Sequence, residues 1–114
     1  MGTGVFEELP YNIELMQKTF DDFGLSVKQV NVVEPDDDNN QITVIAEITA
    51  DKYLKDSVTI KVNAYDAEGK ILAVEDVGRV DRDDFRGYDA VQTNMYDSRV
   101  VENVEKLMLY VVKY

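Results

Sequence analysis

Five consecutive polar residues, Asp36-Asp37-Asp38-Asn39-Asn40, are the most obvious candidates for chemistry in the sequence. Carboxylate and amide oxygens are the ligands that hard cations such as Ca²⁺ prefer. The run lacks the glycine that an EF-hand loop needs at its sixth position. We expect a solvated loop between two strands, and the alternative is a weak calcium site formed by Asp36, Asp37 and Asp38.

A second charged cluster follows later in the chain, where acids and bases alternate. It comprises Arg79, Asp81, Arg82, Asp83, Asp84 and Arg86. Alternating signs predict local ion pairs on an exposed edge, each of which contributes little stability. The sharper hypothesis is a recognition surface for a protein partner, made of Asp83, Asp84, Arg86 and Tyr88. Tyrosine suits such a surface because its large apolar ring ends in a polar hydroxyl.

The residue types that are absent restrict catalysis. The chain has no cysteine and no histidine, which removes thiolate nucleophiles, zinc–thiolate sites and the commonest general base. Acidic side chains are plentiful, but no pair stands out by spacing as an acid–base couple. We therefore expect a protein that is not an enzyme and needs no cofactor.

The net charge of −11, from 23 acids against 12 bases, indicates which partners are favoured. Such a charge repels nucleic acid and anionic membranes and attracts basic proteins. No apolar run is long enough to cross a bilayer, so we expect no membrane insertion. The N-terminus does not resemble a signal peptide. The sequence thus predicts a cytoplasmic protein if Met1 is the natural start, and an exported or cell-envelope protein if a leader was removed.

The elements that would position these residues begin with an apolar stripe of helical spacing. It consists of Phe6, Leu9, Ile13, Met16, Phe20 and Phe23. Pro10 suits a first helical turn and Gly24 the residue after the last one. The spacing predicts a helix over residues 10–23, and so regular a stripe also permits a homodimer formed through this helix.

From Leu25 the apolar period changes to two, which is typical of strands. A change of phase within 25–33 indicates a β-bulge. Later runs alternate clearly, with Ile42, Val44, Ala46 and Ile48 on one face and then Val58, Ile60, Val62 and Ala64 on one face. Residues 105–114 are apolar on both faces, which predicts a central strand.

Six to seven short strands with turns every 8–12 residues are the pattern of a β-sandwich. The sequence therefore predicts one domain over 1–114, in which a helical segment, 1–24, precedes a mainly β, antiparallel sandwich, 25–114. Between two of the strands, Asp66-Ala67-Glu68-Gly69 predicts a tight turn. The aspartate side chain bonds the backbone ahead of it, and the glycine takes the left-handed conformation.

The segment that contains this turn, "VTIKVNAYDAEGKILAVEDV", and the later "DDFRGY" resemble the bacterial FxLYD-type immunoglobulin-like domains. The resemblance covers residues 26–113 and rests on Tyr65, Asp66, Gly69, Lys70 and Phe85. The turn that the family usually has before its phenylalanine reads Asp83-Asp84 here, and the N-terminal segment has no counterpart. The resemblance implies an immunoglobulin-like sandwich from a bacterial cell-envelope or secreted protein, without catalytic residues.

These observations together predict a non-catalytic sandwich module for protein–protein interaction or a structural role. Its acidic loops would select a basic partner by electrostatic complementarity. One alternative is a small-ligand or calcium-binding domain that uses the acidic loop 36–40. Another is a protein inhibitor that inserts a loop into an enzyme.

Overall fold

The computed structural model describes residues 11–114, which form a two-layered β-sandwich with two short helices. In chain order the elements are β1 (Asn12–Leu15), α1 (Gln17–Asp22), β2 (Ser26–Val33), β3 (Ile42–Thr49), β4 (Val58–Tyr65), β5 (Ile71–Val80), β6 (Tyr88–Met95), α2 (Ser98–Asn103) and β7 (Lys106–Lys113). One sheet has the strand order β1-β7-β4-β5 and the other has the order β2-β3-β6. The prediction of a mainly β sandwich is therefore confirmed, with seven strands in the described part of the chain.

All strand pairs are antiparallel except β1 with β7, which run parallel from Asn12 opposite Lys106 to Leu15 opposite Leu109. β7 lies between β1 and β4, so the prediction of a central strand is confirmed. The predicted bulge is present as well, as a register shift between Val27 and Gln29 where β2 pairs with β3.

The core lies between the two sheets and follows the period-two pattern. Every second residue of β3 and of β4 is 0% exposed, namely Ile42, Val44, Ala46, Ile48, Val58, Ile60, Val62 and Ala64. Leu107, Leu109 and Val111 of β7 face the same interior. Among the described residues this core contains no buried polar or charged side chain. The apolar area removed from water is thus the main stabilising contribution.

The predicted N-terminal helix over 10–23 is wrong for most of its length. Asn12–Leu15 is a strand, and helix α1 covers only Gln17–Asp22. Pairing with β7 decides the conformation of this segment: the Met16 N–H donates to the Leu109 carbonyl at 2.9 Å, directly after β1. The Val111 N–H then donates to the Thr19 hydroxyl at 3.0 Å, which attaches α1 to the same strand. Tertiary pairing has overridden the local helical spacing.

The apolar stripe is divided as a consequence. Ile13 belongs to β1, while Phe20 on α1 is 0% exposed within the core and Met16 is 44% exposed. Phe6, Leu9 and Pro10 lie outside the described residues. The continuous helical stripe that would permit a homodimer is therefore not formed over 12–16.

Helix α2 was not predicted and follows from a local cap. The Asp97 side chain accepts a hydrogen bond from the Arg99 N–H at 2.9 Å, so it caps the first turn, and Val100 anchors the helix in the core at 1% exposure. Asp97 is an N-cap residue of the preferred type. Its capping bond lowers the pKa of the Asp97 carboxyl below its ordinary value, and the nearby Arg99 side chain acts in the same direction.

None of the helices within 11–114 has the length and apolar character that crossing a membrane requires.

Candidate functional site

Three connections meet at one end of the sandwich, which we call the loop end. They are the α1–β2 junction (23–25), the β3–β4 loop (50–57) and the β5–β6 turn (81–87). Hydrogen bonds join the 50–57 loop to the 81–87 turn: the Ala50 N–H donates to the Gly87 carbonyl at 3.1 Å, and the Arg82 Nη1 donates to the Lys55 carbonyl at 2.8 Å. Two of the connections therefore form one surface although they are about 30 residues apart in sequence.

The loop end contains three residues of the predicted partner surface, Asp83, Asp84 and Arg86, and the fourth, Tyr88, begins β6 directly after the 81–87 turn. The 81–87 turn is built on Asp81, whose Oδ1 accepts from the Asp83 N–H at 3.0 Å and whose carbonyl accepts from the Phe85 N–H at 2.9 Å. The Phe85 side chain is 5% exposed and anchors the turn in the core. Asp83 and Asp84 are thereby held on the solvent side of the turn, as exposed residues.

Arg86 is held by the backbone of this turn. Its Nη1 donates to the carbonyls of Asp83 and Phe85, at 2.8 and 3.2 Å. These bonds fix the guanidinium group without neutralising its charge. A fixed guanidinium presents its remaining N–H groups in a planar arrangement that matches a carboxylate.

Tyr88 begins β6 and lies on the outer face of the three-stranded sheet. Its hydroxyl donates to Glu47 Oε1 at 2.8 Å, and the Lys28 Nζ lies 5.8 Å from the centre of its ring. The hydrogen bond to the Glu47 carboxylate raises the pKa of the Tyr88 phenol, because it stabilises the protonated form. Half of the side chain, 51%, stays exposed.

The feature that sequence reasoning did not single out is Tyr53, whose side chain is 85% exposed. Lys52 and Tyr53 separate two recesses of about 290 and 320 Å³. The first recess is also lined by Asp21, Phe23 and Asp56, among others, and the second by Asp51, Phe85 and Arg86, among others. A tyrosine in a polar loop carries no sequence signal for exposure, so only the fold reveals it.

The acidic run 36–40 lies at the other end of the molecule, which we call the turn end. It joins β2 to β3 there, beside the 66–70 turn and helix α2. Since β3 has eight residues at about 3.3 Å each, the two ends are on the order of 25 Å apart. Asp36, Asp37 and Asp38 are thus not brought together with Asp83, Asp84 and Arg86.

The carboxylate of Asp36 binds the backbone of its own loop. Its Oδ1 accepts from the backbone N–H groups of Asp38 and Asn39, at 2.9 and 2.8 Å. Within residues 11–114 no group of three or more acidic side chains is gathered in a way that could hold a metal ion. The run has the geometry of an Asx turn, which needs no ligand.

The arrangement at the loop end suits binding. It offers an exposed aromatic side chain, recesses beside it and charged groups held by backbone hydrogen bonds. Comparison with protein-family models, with curated proteins and with solved structures found no match to this chain.

Proposed function

We propose that this chain is a non-catalytic β-sandwich module that binds a protein partner through its loop end. The observation that carries the proposal is the 85% exposure of Tyr53 between two recesses. Exposing a large aromatic side chain leaves apolar surface in water, and burial against a partner recovers that free energy. Asp83, Asp84, Arg86 and Tyr88 would form the polar rim around it.

We further propose that the sandwich is immunoglobulin-like, and the order of its strands supports this. The order β2-β3-β6 corresponds to strands A-B-E of immunoglobulin domains, and the order β5-β4-β7 corresponds to strands C′-C-F. β1 then lies beside β7 where strand G would lie, although it runs parallel to its neighbour. Membership of the FxLYD-type group, and with it a bacterial origin, remains a proposal that rests on the Tyr65–Lys70 turn and Phe85.

The test is affinity capture from a lysate of the source organism, with three baits: the unaltered chain, Tyr53→Ser and Tyr96→Ser. Tyr96 is a matched control, since it is 72% exposed and lies at the turn end. We expect a protein that is held by the unaltered chain and by Tyr96→Ser and is lost with Tyr53→Ser. Identical captured proteins with all three baits would contradict a partner site at Tyr53.

A further inference from the structure

The ion pairs of this protein are unevenly distributed. All 12 lysines and arginines lie within the described residues, and eight of them have a carboxylate oxygen within 4.0 Å: Lys18, Lys61, Lys70, Arg79, Arg82, Arg99, Lys106 and Lys113. Within 11–114 the remaining four, Lys28, Lys52, Lys55 and Arg86, have none. In a chain of net charge −11, these four bases are the ones whose charge no described carboxylate pairs and which a partner could contact.

Three of these bases, Lys52, Lys55 and Arg86, lie at the loop end, and the fourth, Lys28, is the third residue of β2. Lys52 and Arg86 line the second recess; Lys52 and Lys55 line the first, where three acids, Asp21, Asp22 and Asp56, outnumber them. Lys28 lies beside Tyr88, which follows directly on Gly87 of the second recess. The four bases come from three separate segments of the chain, and the fold brings them to one surface.

The second recess combines charge with apolar surface. Its lining includes two of these bases, Lys52 and Arg86, against a single acid, Asp51, among the described residues, together with the rings of Tyr53 and Phe85. The Arg86 guanidinium is already held by two backbone carbonyls. Little side-chain freedom would therefore be lost when its other N–H groups bind a carboxylate.

We propose that the loop end binds an acidic segment of the partner protein, with a carboxylate held between Lys52 and Arg86 and the adjoining apolar atoms against Tyr53. This inference rests on the proposed function and specifies the chemistry of its partner. It differs from the basic partner that the net charge favours. The reason is that net charge acts over long range and is screened by salt, whereas contact is decided by the groups at the site.

The probe is an acetylated and amidated octapeptide of alternating glutamate and tyrosine, titrated into the ¹⁵N-labelled chain and followed by NMR. Its counterpart has lysine in place of glutamate. Since the whole chain is acidic, a non-specific electrostatic contact would favour the lysine peptide. We expect tighter binding of the glutamate peptide, with amide shifts concentrated at 50–55 and 85–88.

Paired substitutions of equal charge locate the site. Lys52→Gln with Arg86→Gln should weaken binding of the glutamate peptide by about tenfold, as expected for the loss of charge-assisted bonds. Lys70→Gln with Arg99→Gln removes one lysine and one arginine at the turn end and should change the affinity by less than about twofold. The single variant Lys52→Gln leaves the Arg86 bonds intact and tests the site if the double variant is poorly folded.

Preference for the lysine peptide, or equal losses in the two double variants, would overturn the acidic partner. A Tyr53-dependent partner in the capture experiment would still stand in that case, so the proposed function survives. If the glutamate peptide does not bind and capture does not depend on Tyr53, both proposals are wrong.

Discussion

Gly78 of β5 lies directly against Val91 of β6: a Cβ atom on Gly78 would come within 2.6 Å of the Val91 Cβ and 2.7 Å of its Cγ1. The two strands belong to different sheets, so this contact packs one sheet against the other along one side of the sandwich. Val91 is 7% exposed, and its main chain is fixed by pairing with Ala46 of β3. The glycine is therefore required by the close approach of the two strands.

Gly78→Ala should lower the free energy of unfolding by about 1–3 kcal/mol, because two packed strands must move apart to accept the methyl group. Urea unfolding followed by circular dichroism measures the change. Ala67→Gly, in the exposed 66–70 turn, also alters the chain by one methyl group and is the control. Its free energy of unfolding should differ from that of the unaltered chain by less than about 1 kcal/mol. An unchanged urea midpoint for Gly78→Ala would contradict the close approach.

Asp66→Ala should destabilise the β4–β5 turn. The Asp66 Oδ1 accepts from the N–H groups of Glu68 and Lys70, both at 2.9 Å, and Gly69 has a φ of 81°. Loss of the carboxylate should cost about 1 kcal/mol, since exposed hydrogen bonds contribute modestly. Glu68→Ala, which removes only an exposed ion pair at 3.7 Å, should stay within about 0.5 kcal/mol of the unaltered chain. Equal effects in the two variants would show that the turn does not depend on Asp66.

The Asp97 cap should make stability depend on pH. The pKa of Asp97 is lowered in the folded chain, first by the hydrogen bond from the Arg99 N–H. A carboxyl whose pKa is lowered on folding stabilises the folded state at pH values above the pKa of the unfolded chain, which is about 3.9. This contribution disappears as the pH falls through the pKa of the folded chain.

Asp97→Asn keeps a capping side chain but cannot titrate. The stability advantage of the unaltered chain over Asp97→Asn should therefore be largest near neutral pH and should shrink as the pH falls below about 4. Urea unfolding at several pH values measures the difference. A difference that grows on acidification would have the wrong sign for a lowered pKa.

Calcium should not change the melting temperature. The Asp36 Oδ1 already accepts two backbone N–H groups of its own loop, so a cation would have to compete with them. Thermal unfolding with millimolar CaCl₂, and with MgCl₂ as the control for ionic strength, measures any shift. A saturable rise with Ca²⁺ that is lost in Asp37→Asn with Asp38→Asn would support the alternative of a calcium-binding loop.

The local patterns predicted those elements whose conformation is decided locally. The alternation of Ile42, Val44, Ala46 and Ile48 predicted both the strand and its buried face, since a strand shows its side chains to opposite faces in turn. The Asp66–Gly69 turn could also be predicted, because its hydrogen bonds join residues that are close in sequence.

The N-terminal segment shows where local reasoning fails. Ile13, Met16 and Phe20 have helical spacing, yet Ile13 lies in a four-residue strand. That strand is stabilised by parallel pairing with β7, which is more than 90 residues away in sequence. So short a segment has a weak preference of its own, and the partner strand determines its conformation.

The sequence by itself determined the fold class, the strands after residue 25 and their buried faces, because the hydrophobic period acts between near neighbours. Only the tertiary structure decided that Lys52, Lys55 and Arg86 share one end of the molecule, and that no described carboxylate lies near enough to pair with them. Net charge is a sum over residues and does not say where in the structure the charges lie. Which charges meet depends on how the sheets pair and pack, and this places the candidate site at the loop end.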